Sequence, residues 1–383
     1  MRHTFTRQEL YDLVWSEPMK TLAGQFELSD VGLAKACKKA NIPRPPRGYW
    51  AKLAAGKKVI QTPLPARGPG MSDAIEVGGS RYSYYQSYSE EEVLAFEPVP
   101  PVFEDDLGDV AARVRGEVPN VTVPKFPERA HRLIRRLLDA DEERRQKQLA
   151  SRFPSSWDAP LFDDPFEKRR LRVLNAIFTA LERAGMRPSL QGKDARDLDV
   201  MINDTRVHFT LDATSQKPDP YRRTGIETRG PSTKLRFAIS AGGPSSGVDQ
   251  TREDTDKAKL EIHVTDIVAE LIIAGERHYR EGRQRHYEWM VERKARLIEE
   301  MRKRKEEAER KERERLAALE QARIDRLMRD AGNFRMAADI RTYVKDIAAQ
   351  VASGDVSVSQ DDLDIWSAWA LAQAERIDPA RSG

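Results

Sequence analysis

Between Arg302 and Arg315 thirteen of fourteen residues are charged, a run that no hydrophobic core can absorb. It lies inside a nearly unbroken helical pattern from about Val264 to about Asp330, which at about 1.5 Å per residue extends on the order of 100 Å. Glu306/Arg310, Glu307/Lys311 and Glu309/Arg313 stand four apart, the spacing at which opposite charges support a solvated helix. There is no apolar heptad seam, so the run reads as one long charged helix. A chain with such a segment cannot close into one globule, and its 383 residues, 33% of them charged, must be shared among smaller units.

The units read in order as a helix-turn-helix module (1–58), a Pro-rich linker (59–127), a small α+β domain (128–263), the long charged helix (264–331) and a C-terminal helical hairpin (332–383). The expected fold class is therefore mainly α with a small α+β middle domain. In the first unit Thr6-Arg7-Gln8-Glu9 has the form of a capping box, and Leu10, Leu13 and Val14 recur at helical spacing. Ser16-Glu17-Pro18 closes that helix and opens a second, which runs to about Phe26. Ser29 is the N-cap expected for a third, which ends near Asn41 because Pro43, Pro45 and Pro46 forbid its extension.

The linker carries nine prolines and the tyrosine cluster Arg81-Tyr82-Ser83-Tyr84-Tyr85. In the middle domain helices are expected over Glu128–Ser151 and Phe166–Ala184, the latter stopped by Gly185. Three β-type runs follow, Leu198–Ile202, Val207–Leu211 after an Asn203-Asp204 turn, and Leu235–Ser240. Beyond Gly332, Met336, Ile340, Val344, Ile347 and Val351 trace one helical face, and Leu363, Trp366, Trp369, Ala370 and Ile377 trace another behind a Gly354 break.

A DNA-binding helix-turn-helix needs a small residue where its second helix crosses the first, flanked by larger apolar residues, and Leu22 through Ser29 supplies that pattern with Ala23 at the crossing. Leu33 and Ala36 then face inward, while Ser29, Asp30, Gly32, Lys35 and Lys38 face the major groove. The turn has Glu27 where such turns usually have glycine, a departure that costs free energy if the backbone there is left-handed. The flanking charge strengthens the reading. Residues 1–58 hold eleven Lys/Arg against five Asp/Glu, although the whole chain is only +3. Lys35, Lys38, Lys39, Arg44, Arg47, Lys52, Lys57 and Lys58 follow one another with no acidic residue between them. Such a run neutralises phosphates. The Pro43–Gly48 stretch is stiff, so Arg44 and Arg47 are laid along a groove or phosphate ridge at low entropic cost. Tyr49 and Trp50 either stack on nucleic acid or fold back over the first and third helices, the second being the stronger expectation.

Leu10-Tyr11, Val14-Trp15, Pro18-Met19, the Leu22–Ser29 pattern and Arg47-Gly48-Tyr49-Trp50-Ala51-Lys52 together resemble the N-terminal module of an uncharacterised bacterial protein family. Its members share a long charged helix and a C-terminal tryptophan hairpin, matched here by Ala338-Asp339-Ile340-Arg341 and by Trp366 through Ala374. The resemblance implies a shared architecture and a DNA-associated role in a prokaryote, as a transcriptional regulator or an accessory factor of a mobile-element or defence locus. It carries no catalytic residues with it.

Other readings remain open. A metal-dependent nuclease would need carboxylates at a strand edge with a nearby lysine, and Asp212, Glu227 and Lys234 are the candidates, among further acids at Asp194, Asp197, Asp199 and Glu261. His208 and His263 read as structural histidines. There is no Walker-type loop, nucleophile elbow or His-Glu-x-x-His signature, so no cofactor, metal or catalytic residue is assigned. An adaptor would grip a protein partner, or a second copy, through the long helix and through Trp366 and Trp369. The lone Cys37 excludes an intrachain disulfide and belongs to a core. No apolar run reaches membrane-spanning length and the start does not resemble a signal peptide, so a cytoplasmic protein without membrane contact is expected.

Overall fold

The computed structural model describes residues 2–78, 88–125, 130–153, 159–214, 232–242 and 246–380. They divide into two compact units, one of Met1–Ser89 with Phe96–Val291 and the other of Glu90–Ala95 with Glu292–Gly383. The chain is mainly helical with a smaller β component. Among the described residues no helix is long and apolar enough to cross a membrane. The tyrosine cluster at 81–85 and Glu227 lie outside the described residues.

In the first unit, β1 (Arg2–Thr6) leads into α1 (Arg7–Ser16), α2 (Met19–Gln25), α3 (Asp30–Lys39), the short α4 (Tyr49–Ala54) and β2 (Ala74–Gly78). The capping box is present: the Glu9 amide donates to Thr6 Oγ1 at 3.2 Å and the Thr6 amide donates to Glu9 Oε2 at 2.8 Å. β1 and β2 pair antiparallel from Arg2↔Gly78 to Thr6↔Ala74. Ile75 and Val77 thereby join Leu10, Val14, Leu22, Leu33 and Cys37 in one small core. The module therefore reaches residue 78, not 58, and the expected linker 59–127 is not a linker throughout. It contains α5 (Glu90–Ala95), and its α6 (Leu107–Glu117) buries Val110, Ala111 and Val114 in the core of the middle domain. A face this short, between proline-rich flanks, leaves no readable helical period.

The middle domain has α7 (Arg132–Ala150) and α8 (Pro165–Arg183), then a five-stranded antiparallel meander of β3 (Arg187–Gln191), β4 (Asp197–Ile202), β5 (Thr205–Ala213), β6 (Leu235–Ser240) and β7 (Val248–Glu253). Leu198, Val200 and Ile202 on β4, Val207, Phe209 and Leu211 on β5, and Leu235, Phe237 and Ile239 on β6 are all buried, the alternation expected of a sheet with one covered face. Ile267, Val268, Leu271 and Ile272, from the start of α9 (Val264–Ser353), and the apolar side of α8 complete that core. The α9 backbone reaches the sheet at Gly275, where a Cβ would stand 2.6 Å from the Ile202 side chain.

α9 is continuous for 90 residues and passes through Gly332. The expected boundary at 331/332 is therefore absent. An isolated glycine costs a helix only about 1 kcal/mol, too little to break one held by neighbouring turns. The helix ends at Gly354, at φ 82°. In the second unit its charged stretch is exposed throughout, with Lys311 2.8 Å from Glu307 and Arg302 2.9 Å from Glu299. The last turns of α9 and α10 (Gln360–Ile377) bury Ala337 and Val344 with Leu363, Ala370 and Ala374, and Arg341 donates to Asp378 at 2.6 Å to close the hairpin.

Candidate nucleic-acid interface

The α2–α3 turn is closed by two backbone hydrogen bonds, Leu28 N to Ala23 O at 2.9 Å and Glu27 N to Gly24 O at 3.3 Å. This is the Schellman pairing, and it puts the residue after the C-cap into the left-handed region. That residue is Glu27, at φ 55°. The turn geometry usually served by glycine is thus made here by glutamate. Ser29 then caps α3 by accepting from Gly32 N at 3.0 Å. A side chain at Gly32 would lie 3.2 Å from that hydroxyl, so a small residue suits the first turn. Ala23, Leu33 and Cys37 are buried, and burial pushes the Cys37 thiol up to about 11, which keeps it un-ionised.

Ser29, Asp30, Lys35, Lys38 and Lys39 are exposed, and Gly32 is half-buried between them. Val31, which sequence reasoning passed over, is 56% exposed on the same first turn. An apolar side chain thus stands among the polar groups on the exposed side of α3. The signal was present in the sequence, since a valine two residues after an N-cap cannot share the inward face of Leu33 and Cys37. Lys39 reaches Asp204 at 2.8 Å, on the β4–β5 turn, and so ties the end of α3 to the middle domain.

Beyond α3 the basic extension is held in place by α1. Arg7, Tyr11 and Trp15 stand four apart on one helical face, and each donates to a backbone carbonyl. Arg7 reaches Ala40 and Pro65, both at 3.0 Å. Tyr11 Oη reaches Thr62 at 2.8 Å, and Trp15 Nε1 reaches Pro43 at 2.9 Å. These bonds fix both ends of the Pro43–Pro65 excursion, and the exposed Arg44 and Arg47 stand on it beside Lys38. Together with Asn41, Thr62 and Pro65 these three cations line an open cleft of about 650 Å³. Arg47-Gly48 forms the middle of a type II turn, with Tyr49 N donating to Pro46 O at 3.0 Å and Gly48 at φ 84°. The aromatic pair folds inward. Tyr49 is buried with its ring edge-on to Trp15 at 5.2 Å, and Trp50 packs edge-on to Tyr49, half-buried. Tyr49 therefore presents no face to a base. Lys52, Lys57 and Lys58 are exposed.

Several acids of the middle domain are already engaged by cations. Asp212 accepts from Arg196 at 2.8 Å, Lys234 lies 2.8 Å from Asp256, and Glu261 shares Arg169 with Asp254. Burial works against the charged form of Asp254, yet Arg169 and the amides of Leu235 and Leu260 hold its carboxyl below the usual range. Asp199 is buried and accepts from Ser189 Oγ at 2.5 Å. Among the described residues no group of three or more His, Cys, Asp or Glu side chains is placed to hold a metal ion. His208 faces across the β4–β5 ladder to Asp199, and His263 lies 3.8 Å from Asp266. Trp366 packs edge-on to Tyr343 at 5.9 Å inside the hairpin, while Trp369 is 61% exposed. Neither a protein-family model, nor a curated protein, nor a solved structure matches the chain.

Proposed function

We propose that this chain binds double-stranded DNA with α3 in the major groove and the Pro43–Pro65 excursion along the adjoining phosphates. The observation that carries the reading is the α1 ladder of Arg7, Tyr11 and Trp15, which holds Arg44 and Arg47 beside Lys38. Cations fixed before binding lose less entropy on meeting phosphates than cations on a free tail. Ser29, Asp30, Val31, Gly32 and Lys35 face base edges, and Lys38, Arg44, Arg47, Lys52, Lys57 and Lys58 meet phosphates. Trp50 borders this surface, and Lys39 is shared with Asp204. The protein is read as a binding protein rather than a nuclease, because Asp212 and Glu261, two of the acids considered for Mg²⁺, are each paired with an arginine. Transcriptional regulation, or an accessory role at a mobile-element or defence locus, is the setting proposed for it, in line with the resemblance carried by the Arg47–Lys52 motif.

Binding-site selection on the full chain supplies the test duplex. Replacing Lys35 and Lys38 by Ala is expected to weaken binding by about tenfold or more and to lower the slope of log affinity against log salt by about 1 to 2. Titration of the variant by fluorescence anisotropy at several salt concentrations measures both. No enriched sequence together with unchanged affinity in the variant would remove the basis for this reading.

A further inference from the structure

We infer that the C-terminal hairpin is a homodimerisation element, with a second copy of the same hairpin as its occupant. A two-helix hairpin buries one seam and leaves its flanks uncovered, and two hairpins packed together make a four-helix bundle. One flank here is strongly apolar. Met336 and Tyr343 stand seven apart on one strip of α9, and Ile365 and Trp369 stand four apart on one strip of α10. The edge contact between Tyr343 and Trp366 joins the two strips. These four side chains are 55, 57, 71 and 61% exposed.

Area and charge both favour a second copy. A fully buried aromatic contributes roughly 150–250 Å², so Tyr343 and Trp369 alone leave on the order of 200 Å² to cover. With Met336, Ile365 and the exposed Ala368 and Ala372, the flank offers on the order of 500 Å² per copy. The total of about 1,000 Å² is the level at which specific interfaces begin. The α10 strip is also complementary to itself when antiparallel. Pairing two copies about the point between Ala368 and Trp369 sets Ile365 of one against Ala372 of the other, large against small. It sets the exposed Asp361 against Arg376 of the second copy. Such end-to-end charge matching fixes an orientation that an unspecific apolar patch would leave open.

This inference does not depend on DNA binding and is tested without DNA. Sedimentation equilibrium of the full chain is expected to give a dimer mass. Trp369→Glu is expected to raise the dissociation constant roughly thirtyfold or more, the loss associated with a central tryptophan anchor. Circular dichroism checks that the helical content is kept. A charge exchange guards against a merely unfolded hairpin: Arg376→Asp weakens the dimer, and adding Asp361→Arg restores it. A monomer at every concentration, a dimer undisturbed by Trp369→Glu with helicity intact, or an exchange that restores nothing would each overturn the inference, whatever other protein the hairpin captures.

Discussion

Glu27 carries the turn on which the DNA-binding reading depends, and it does so against its own conformational preference. At φ 55° a residue with a Cβ is disfavoured by roughly 1–2 kcal/mol, and a β-branched residue more so. Glu27→Val is therefore expected to lower the stability of the protein by about 1 kcal/mol or more, while Glu27→Gly is expected to cost nothing, because it relieves the strain and gives back a similar amount as unfolded-state entropy. Thermal melts of the two variants against the parent measure the difference. Equal melting for Val and Gly would mean that the turn relaxes out of the left-handed region. Residue 27 was legible as the weak point of the turn because its neighbours, Ala23 at the crossing and Ser29 at the cap, conform to the pattern. The roles of Arg7, Tyr11 and Trp15 were not legible. Their partners are backbone carbonyls 28 to 58 residues away, and a carbonyl has no sequence signature.

At the scale of elements, what could be read was what is local. The three helices of the module and the β4, β5 and β6 strands stand near their expected places, because each has a buried face with its own period. The edge strands were invisible for a physical reason. β3 includes Pro188, which only an edge or irregular position tolerates, and β7 is Val-Asp-Gln-Thr-Arg-Glu with no apolar alternation. β1 and β2 escaped for another, since their pairing spans about seventy residues and neither strand has the length to announce itself. That pairing yields a prediction about where the module ends. A fragment of residues 1–58 lacks β2 and the carbonyls of Thr62 and Pro65, leaving Tyr11 Oη without its partner and Ile75 and Val77 missing from the core. Each unmade buried hydrogen bond costs about 1–3 kcal/mol, and each missing aliphatic side chain about 1.5–3 kcal/mol. Residues 1–78 are thus expected to melt cooperatively where residues 1–58 do not, by circular dichroism on the two fragments. Indistinguishable melts would show that the β1–β2 ribbon adds nothing to the module.

At the scale of the whole molecule, the expected division into a helix-turn-helix module, a Pro-rich linker and a small α+β domain gives way to one compact unit holding both the module and the middle domain. The joint is built at residues 67–73. Arg67 pairs with the buried Glu276, whose second oxygen accepts from Gly70 N at 2.8 Å. Asn203 donates to Pro69 O and Thr205 to Gly70 O, both at 2.8 Å. Arg280 also donates to Glu276 at 2.7 Å, so one carboxylate on α9 serves two guanidinium groups and a backbone amide. This arrangement accounts for two glycines. Gly70 is left-handed with Ile202 O 2.7 Å from where its Cβ would stand, and Gly275 faces the same isoleucine. Removing the charge of Glu276 leaves Arg67, which is 8% exposed, as a buried cation without a counter-ion, a loss on the order of 3–5 kcal/mol for a buried pair. Glu276→Gln keeps the shape and removes the charge, so it is expected to free the 67–73 segment while the core around Phe209 and Leu271 stays folded. The measurement is limited trypsin digestion followed by mass spectrometry. Arg67 is protected in the parent and becomes a cleavage site in the variant, whereas the exposed Lys57-Lys58 pair is cut in both. If Arg67 stays protected in the variant, the joint is held by the Asn203 and Thr205 contacts and by Lys39 with Asp204, and the buried charge pair is not what fixes the N-terminal module to the sheet.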